Sequence, residues 1–311
     1  MAGKHEVREE EEYIVVDGHR IRRTKPAEAE EAETGAPAEE HTHTGAPGPE
    51  PGNANSRIRL VVGVVSGKGG VGKSFVTALT AAMLRRKGHK VAILDADITG
   101  PSIPKMFGIN RGGGADAASE TEILPGETQT GIRLMSLNLL MPNETDPVIW
   151  RGPVIAGVVK QFWNDVRWGD IDVMLVDMPP GTGDVPLTVF QSLPVDGIVV
   201  VTTPQELVSM IVEKAINMAD MMSIPVIGLV ENMSYIRCPH CNELIWPFGE
   251  REHDAGAIRR GIDVAGRLPM DPAFAACADA GEMEKAETED LDPLIAKIEG
   301  LLAQKKSEAA D

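Results

Sequence analysis

The sequence predicts an α/β fold, a doubly wound and mostly parallel sheet with helices on both faces, preceded by a disordered acidic N-terminal tail. Three observations carry this expectation. From Ile58 onward, short runs of Val, Ile and Leu alternate with longer stretches of helical periodicity. Several of those runs lack polar alternation, as strands covered on both faces do. The first run leads directly into SGKGGVGKS, residues 66–74, a glycine-rich turn between a strand and a helix.

Residues 1–56 differ in composition from the rest, with thirteen acidic against six basic residues running into TGAPAEEHTHTGAPGPEPGNANS. Such a segment buries too little apolar surface to offset its ordering entropy, so Lys25 to Ser56 are expected to be disordered. Within the tail, Glu12 to Arg23 carries Asp17-Gly18 between apolar residues and reads as a small hairpin. His41 and His43 read as solvent-exposed tail residues. The expected strands are Arg59 to Val65, Lys90 to Leu94, Ile132 to Leu137, Val173 to Val176, Gly197 to Val201, Val226 to Val230 and Val264 to Leu268. Helices are expected between them over Ser74 to Lys87, Val154 to Val166, Val185 to Leu193, Glu206 to Met222 and Glu252 to Arg260. This gives one domain over residues 57–305, with 306–311 as a short C-terminal tail.

The formal charge of −17 excludes a general nucleic-acid binder, which needs clustered Lys and Arg. The N-terminus lacks a basic start followed by an apolar core, and no apolar run reaches the ~18 residues of a transmembrane helix. The expectation is a cytoplasmic protein with neither nucleic acid nor membrane as partner. Three cysteines are too few for a disulfide scaffold in 311 residues, so Cys238-Pro239-His240-Cys241 points to metal or redox chemistry.

Gly67-x-x-x-x-Gly72-Lys73-Ser74 satisfies the phosphate-loop pattern in the context that makes it credible, strand before and helix after. Its glycines let successive N–H groups, across Gly67, Lys68, Gly69, Gly70, Val71 and Gly72, point into one concavity at a helix N-terminus. Lys73 would reach the β- and γ-phosphates of ATP, and the Ser74 hydroxyl would ligate Mg²⁺. Two acidic motifs complete the expectation for a P-loop NTPase. Asp177 ends an apolar strand where a carboxylate can hold Mg²⁺ or its water, and the glycine-rich Pro179 to Asp184 follows it. Asp95 and Asp97 lie at the C-terminal end of the second strand, the sheet edge where ligands bind. Asp97, nearer the loop, is the candidate for orienting water at the γ-phosphate.

SGKGGVGKS, LDADITGPSIPKMFG, VIWRGP, WGDIDVMLVDMPPGTGDVPLTVFQ, VTTPQ, GLVENMSYIRCPHC and RLPMDP together resemble the Mrp/ApbC family of iron-sulfur cluster carrier ATPases over residues 58 to about 285. The wider group of deviant Walker A ATPases, with nitrogenase iron protein, MinD and ParA, shares only the loop and the Asp motifs. The resemblance implies that Lys68 reaches across a dimer interface to the nucleotide of the other subunit, as an arginine finger does. It also implies that Asn232 recognises adenine, for which an amide offers both a donor and an acceptor.

By itself Cys238-x-x-Cys241 fits a redox pair, half of a four-thiolate metal site, or two unrelated cysteines. Both a 4Fe-4S cluster and an all-cysteine zinc site want four thiolates, and two subunits about a two-fold axis would supply them. Spacing does not separate iron from zinc; the resemblance favours a labile bridging 4Fe-4S cluster. His240 reads as a loop residue, Cys277 as a small buried helix residue, and Met218 to Met222 as helix packing. The expected function is a slow homodimeric ATPase that takes a 4Fe-4S cluster from an upstream scaffold or donor and transfers it to apo iron-sulfur proteins. A MinD/ParA-like positioning ATPase and a nucleotide-gated zinc-binding scaffold are the alternatives.

Overall fold

Alternate residues of each central strand feed two separate cores, which is what a sheet covered on both faces requires. In β3 (Arg57–Ser66), Leu60, Val62 and Val64 face one core while Val61 and Val65 face the other. The same alternation holds in β4 (Val91–Asp95), in β7 (Asp170–Asp177) from Val173 onward, and in β8 (Gly197–Thr202). One core is closed by α1 (Lys73–Arg86) and by the last helix of the chain. The other is closed by α3 (Gly152–Asp165), α4 (Asp184–Ser192) and α5 (Met210–Met221). This computed structural model describes residues 13–16, 19–22, 50–97, 102–109, 123–140, 152–181, 183–204, 210–249 and 261–309.

Nine strands form the main sheet, in the order β10-β9-β8-β3-β7-β4-β6-β5, with β11 paired to β9. The remaining strands are β5 (Gly126–Glu127), β6 (Arg133–Met135), β9 (Val226–Arg237), β10 (Leu244–Ile245) and β11 (Val264–Pro269). All pairings in this sheet are parallel except β5 on β6 and β10 on β9. Two short helices, α2 (Ile103–Met106) and α6 (Pro272–Asp279), precede α7 (Asp292–Glu308).

The chain divides into two units, Met1–Gly45 and Ala46–Asp311. In the first, β1 (Tyr13–Val16) pairs antiparallel with β2 (His19–Arg22), the hairpin expected around Asp17-Gly18. His41, His43 and the expected helix Glu252 to Arg260 lie outside the described residues.

Three expectations need correction. The stretch up to Ser56 is not wholly tail: the Trp163 indole donates to the Glu50 carbonyl at 3.1 Å, Lys160 pairs with the Glu50 carboxylate at 3.2 Å, and the Glu50 N–H donates to Ser192 at 2.9 Å. A polar, glycine-rich sequence is anchored there by partners that composition does not register. The last helix continues to Glu308, past the boundary read at 305, because Lys305 and Lys306 in its final turn pair with Asp196 and Asp172 at 2.7 and 3.4 Å. The strand read as ending at Val230 runs on to Arg237, so the cysteine pair sits on an extension of the sheet.

Candidate nucleotide site and cysteine hairpin

Between β3 and α1 the loop folds into a cradle. Gly70 and Gly72 take left-handed φ values of 84° and 82°, which suit glycine. At Gly72 a side chain is doubly excluded, since a Cβ there would lie 2.2 Å from the Asn232 amide nitrogen. Asn232 is buried and donates that amide to the Val71 carbonyl at 2.9 Å, fastening β9 to the loop.

Lys73 is buried, with its ammonium 2.9 Å from Asp177 Oδ2 and 3.4 Å from Asp97 Oδ2. Both carboxylates pair with it, and an ammonium, with three N–H groups, has capacity left for a further acceptor. Burial pulls the Lys73 pKa down, and Asp177 and Asp97 more than reverse this, leaving it raised above 10.5. A buried ammonium beside a glycine cradle fits the phosphates of a nucleotide.

Asp177, fully buried, accepts from the Ser74 hydroxyl at 2.5 Å and from the Thr77 hydroxyl at 2.9 Å. Ser74 and Asp177 are hard oxygen donors in contact, the set that suits Mg²⁺. Thr77 escaped the sequence reading, although its place one turn after Ser74 on α1 puts it on the same helix face. On the adjoining strand, Asp95 accepts from the Asp97 N–H at 3.1 Å and from the Ser136 hydroxyl at 3.0 Å. Asp97 is therefore the more accessible of the two acids, with its side chain 13 % exposed and turned to Lys73. Lys68 is exposed, and its carbonyl accepts from the Ser66 hydroxyl at 3.0 Å.

Burial first, and then the neighbouring Asp177, push Asp95 well above the usual carboxylate range. The sign of its linkage follows: the unfolded chain releases this proton at lower pH than the folded one, so Asp95 costs stability as pH rises through that interval. In nucleotide-free protein, Asp95→Asn is expected to raise Tm at neutral pH, with the gain shrinking toward the ordinary aspartate pKa of about 3.9. A change in Tm of equal size at both pH values would show that shape rather than charge decides.

Beside the cradle lies a mainly apolar cavity of about 570 Å³, walled by Gly72, Phe75, Asn232, Met233, Met270 and Phe274. The Phe75 and Phe274 rings meet at 5.4 Å between centroids. Its size and lining suit a planar heterocycle with its polar end near Asn232.

Beyond Asn232, β9 leads into a turn. The Cys238 N–H donates to the Glu243 carbonyl, the Asn242 N–H donates to the Cys238 carbonyl, both at 2.9 Å, and Asn242 adopts φ 60°. These bonds close the β9–β10 hairpin with Cys241 exposed and Cys238 half-buried. Backbone N–H groups of His240 and Cys241 direct hydrogen bonds at the Cys238 thiol and lower its pKa, favouring thiolate. Leu244 and Ile245 follow at 40 and 50 % exposure, an apolar patch beside the thiols. Among the described residues no three His, Cys, Asp or Glu side chains converge as a metal site. Cys277 lies on α6, partly buried against the core. Of the methionines in α5, Met218 is buried while Met221 is 80 % exposed, so only part of that run is packing. No helix among the described residues is long and apolar enough to cross a membrane.

The chain is similar to known proteins over most of its length. The family model of the NUBPL iron-transfer P-loop NTPase matches residues 57–302. An iron-sulfur cluster carrier protein of Clostridium perfringens is 45 % identical over 250 residues, covering 78 % of this chain and 87 % of the relative. Its counterpart in Methanocaldococcus jannaschii is 46 % identical over 227 residues, 73 % of this chain and 78 % of the relative. Among solved structures, a nucleotide-binding protein of Archaeoglobus fulgidus in complex with ADP is 43 % identical, with a TM-score of 0.67 over 76 % of this chain and 91 % of that one. The MinC:MinD cell division complex of Aquifex aeolicus, at 18 % identity and a TM-score of 0.55 over 78 % of this chain and 96 % of that one, shares the fold. Motifs, sheet order and relatives thus coincide over the same stretch, and the chain belongs to the family of NUBPL iron-transfer P-loop NTPases, in keeping with its sequence resemblance to the Mrp/ApbC carriers.

Proposed function

We propose that this chain is an ATP-hydrolysing iron-sulfur cluster carrier, which holds a 4Fe-4S cluster between two copies of itself and passes it to apo-proteins. One observation carries the reading. Strand β9 fastens to the phosphate loop through Asn232 and, six residues later, presents Cys238. One strand thus links the phosphate loop to the turn that carries both thiols, which gives a change at either end a physical route to the other. The carrier names of the relatives and the ADP complex of the Archaeoglobus fulgidus protein support the two halves of this reading.

Two hairpin thiols per chain leave a four-thiolate cargo incomplete, so a second copy supplies the other pair. Exposed Leu244 and Ile245 beside the cysteines give that contact an apolar component. At the nucleotide, the loop N–H groups and Lys73 bind phosphate oxygens, and Asn232 with the apolar cavity receives adenine. Ser74 and Asp177 would hold Mg²⁺, which neutralises phosphate charge when bound. Asp97 orients the attacking water, and Lys68 from the partner copy stabilises charge on the transferring phosphoryl group. Acquisition from a cytoplasmic donor and release to recipients would follow the nucleotide state. The carrier domain is residues 57–305 together with the end of α7 and the stretch from Glu50 anchored on it, after the acidic extension.

The test is anaerobic reconstitution with iron and sulfide. The wild-type chain is expected to retain iron and visible absorbance at one cluster per two chains, and Cys238→Ala/Cys241→Ala to lose both. Equal iron and absorbance in the two proteins would refute the carrier reading; zinc in place of iron in protein purified without oxygen would favour the scaffold alternative.

A further inference from the structure

Strand β9 is irregular between its two functional ends. Glu231 pairs with Arg267 of β11, and the next pairing joins Tyr235 to Pro269, so four residues of β9 stand opposite two of β11. The surplus falls in a bulge at Asn232, Met233 and Ser234, with Met233 at φ 57°, a conformation that strains a residue bearing a side chain. The bulge carries Asn232 to the phosphate loop and Met233 to the cavity wall.

Tyr235 is the first residue after it. Its carbonyl accepts from the Met270 N–H at 2.7 Å, and Met270, with its neighbours Pro269 and Asp271, lines the cavity. The buried ring lies 5.3 Å from Trp246, which follows β10 in the cysteine hairpin, and the Arg237 guanidinium stands 5.8 Å over its face. Its hydroxyl donates to Asp290, 3.0 Å from both carboxylate oxygens, and so ties this junction to the segment before α7. One residue therefore bears on all three, through its backbone carbonyl on the cavity wall, its ring on the hairpin and its hydroxyl on the body of the domain.

We propose that Tyr235 is the positioning residue that couples occupancy of the nucleotide cavity to the setting of the Cys238/Cys241 hairpin. A base entering the cavity presses on Met233 and Met270, on either side of Tyr235. Any shift of the bulge turns the Tyr235 ring against Trp246 and so moves the thiols. This deepens the carrier reading and rests on it for the identity of the cargo, while the coupling itself is measurable without iron.

The experiment uses the full-length, cluster-free chain in a Cys277→Ala background, with the rate at which a chromogenic disulfide labels Cys238 and Cys241 measured with and without saturating ADP. ADP is expected to change that rate by about tenfold, within the usual range of coupling between sites. In Tyr235→Leu the ratio is expected to fall to about one while calorimetric ADP affinity is retained, which also reports that the variant is folded. Trp246→Leu, on the hairpin side of the same contact, should lose the ratio equally, and Tyr235→Phe, which keeps the ring, should keep part of it. A wild-type rate indifferent to ADP, or a ratio undiminished in both Leu variants, overturns the proposal. Iron retention is read in a separate experiment, so failure here is distinct from failure of the carrier reading.

Discussion

Lys68→Ala is expected to lower ATP hydrolysis by about 10³-fold with nucleotide affinity largely unchanged, the signature of a cation supplied to the transferring phosphoryl group from another subunit. Lys73→Ala should instead weaken binding by about 10- to 150-fold, equivalent to the roughly 1.5–3 kcal/mol of a charged hydrogen bond. The contrast follows from their settings: Lys73 is buried against Asp177 and Asp97, while Lys68 is exposed at the mouth of the loop. Mixing the two variants makes the test specific. In a mixed dimer, the chain with Lys68→Ala keeps its own Lys73 and receives Lys68 from its partner, so one of the two sites recovers. Absence of recovery, with equal binding defects in the single variants, would assign Lys68 to the cradle of its own subunit.

Asp177→Ala should have the largest effect on stability, a loss of about 3–5 kcal/mol in denaturant unfolding of the nucleotide-free protein. Three groups depend on that carboxylate, namely the Lys73 ammonium and the hydroxyls of Ser74 and Thr77. Removing it leaves a buried cation without its nearest counter-charge and the Ser74 hydroxyl without this acceptor, while the Thr77 hydroxyl falls back on the Lys73 carbonyl at 3.0 Å. Asp177→Asn, which keeps an acceptor but not the charge, should fall between. A loss below about 1 kcal/mol for the alanine variant would mean that Asp97 and water replace Asp177 at little cost, as at an exposed pair.

The central strands were legible because each is a run of Val, Ile and Leu long enough to span the sheet, and the phosphate loop because its glycines and lysine occur between a strand and a helix. What escaped has local physical reasons. Residues 231–237 of β9 break the apolar run with Glu, Asn and Ser, because that part of the strand serves the loop and the hairpin rather than the core. Gly126–Glu127 and Leu244–Ile245 are two-residue strands, too short for any periodicity to register. Glu50 joins the domain through its own backbone, which no side-chain pattern records. In the site, Lys73, Ser74, Asp97 and Asp177 converge as the motifs suggested. Ser136 and Tyr235 were invisible because each acts through a partner, Asp95 or Asp290, that only the fold brings near.

The cavity beside the phosphate loop takes its walls from residues 72–75, 232–236 and 269–275. Those segments lie far apart along the chain, and they meet only once β11 has joined the edge of the sheet and α6 has docked. Nucleotide affinity is thus a property of the finished domain. By mass action, a nucleotide at about a hundred times its Kd would add roughly 2.7 kcal/mol to the folded state. Three separate stretches of sequence thus share one ligand, and losing the fold of any of them removes part of its wall.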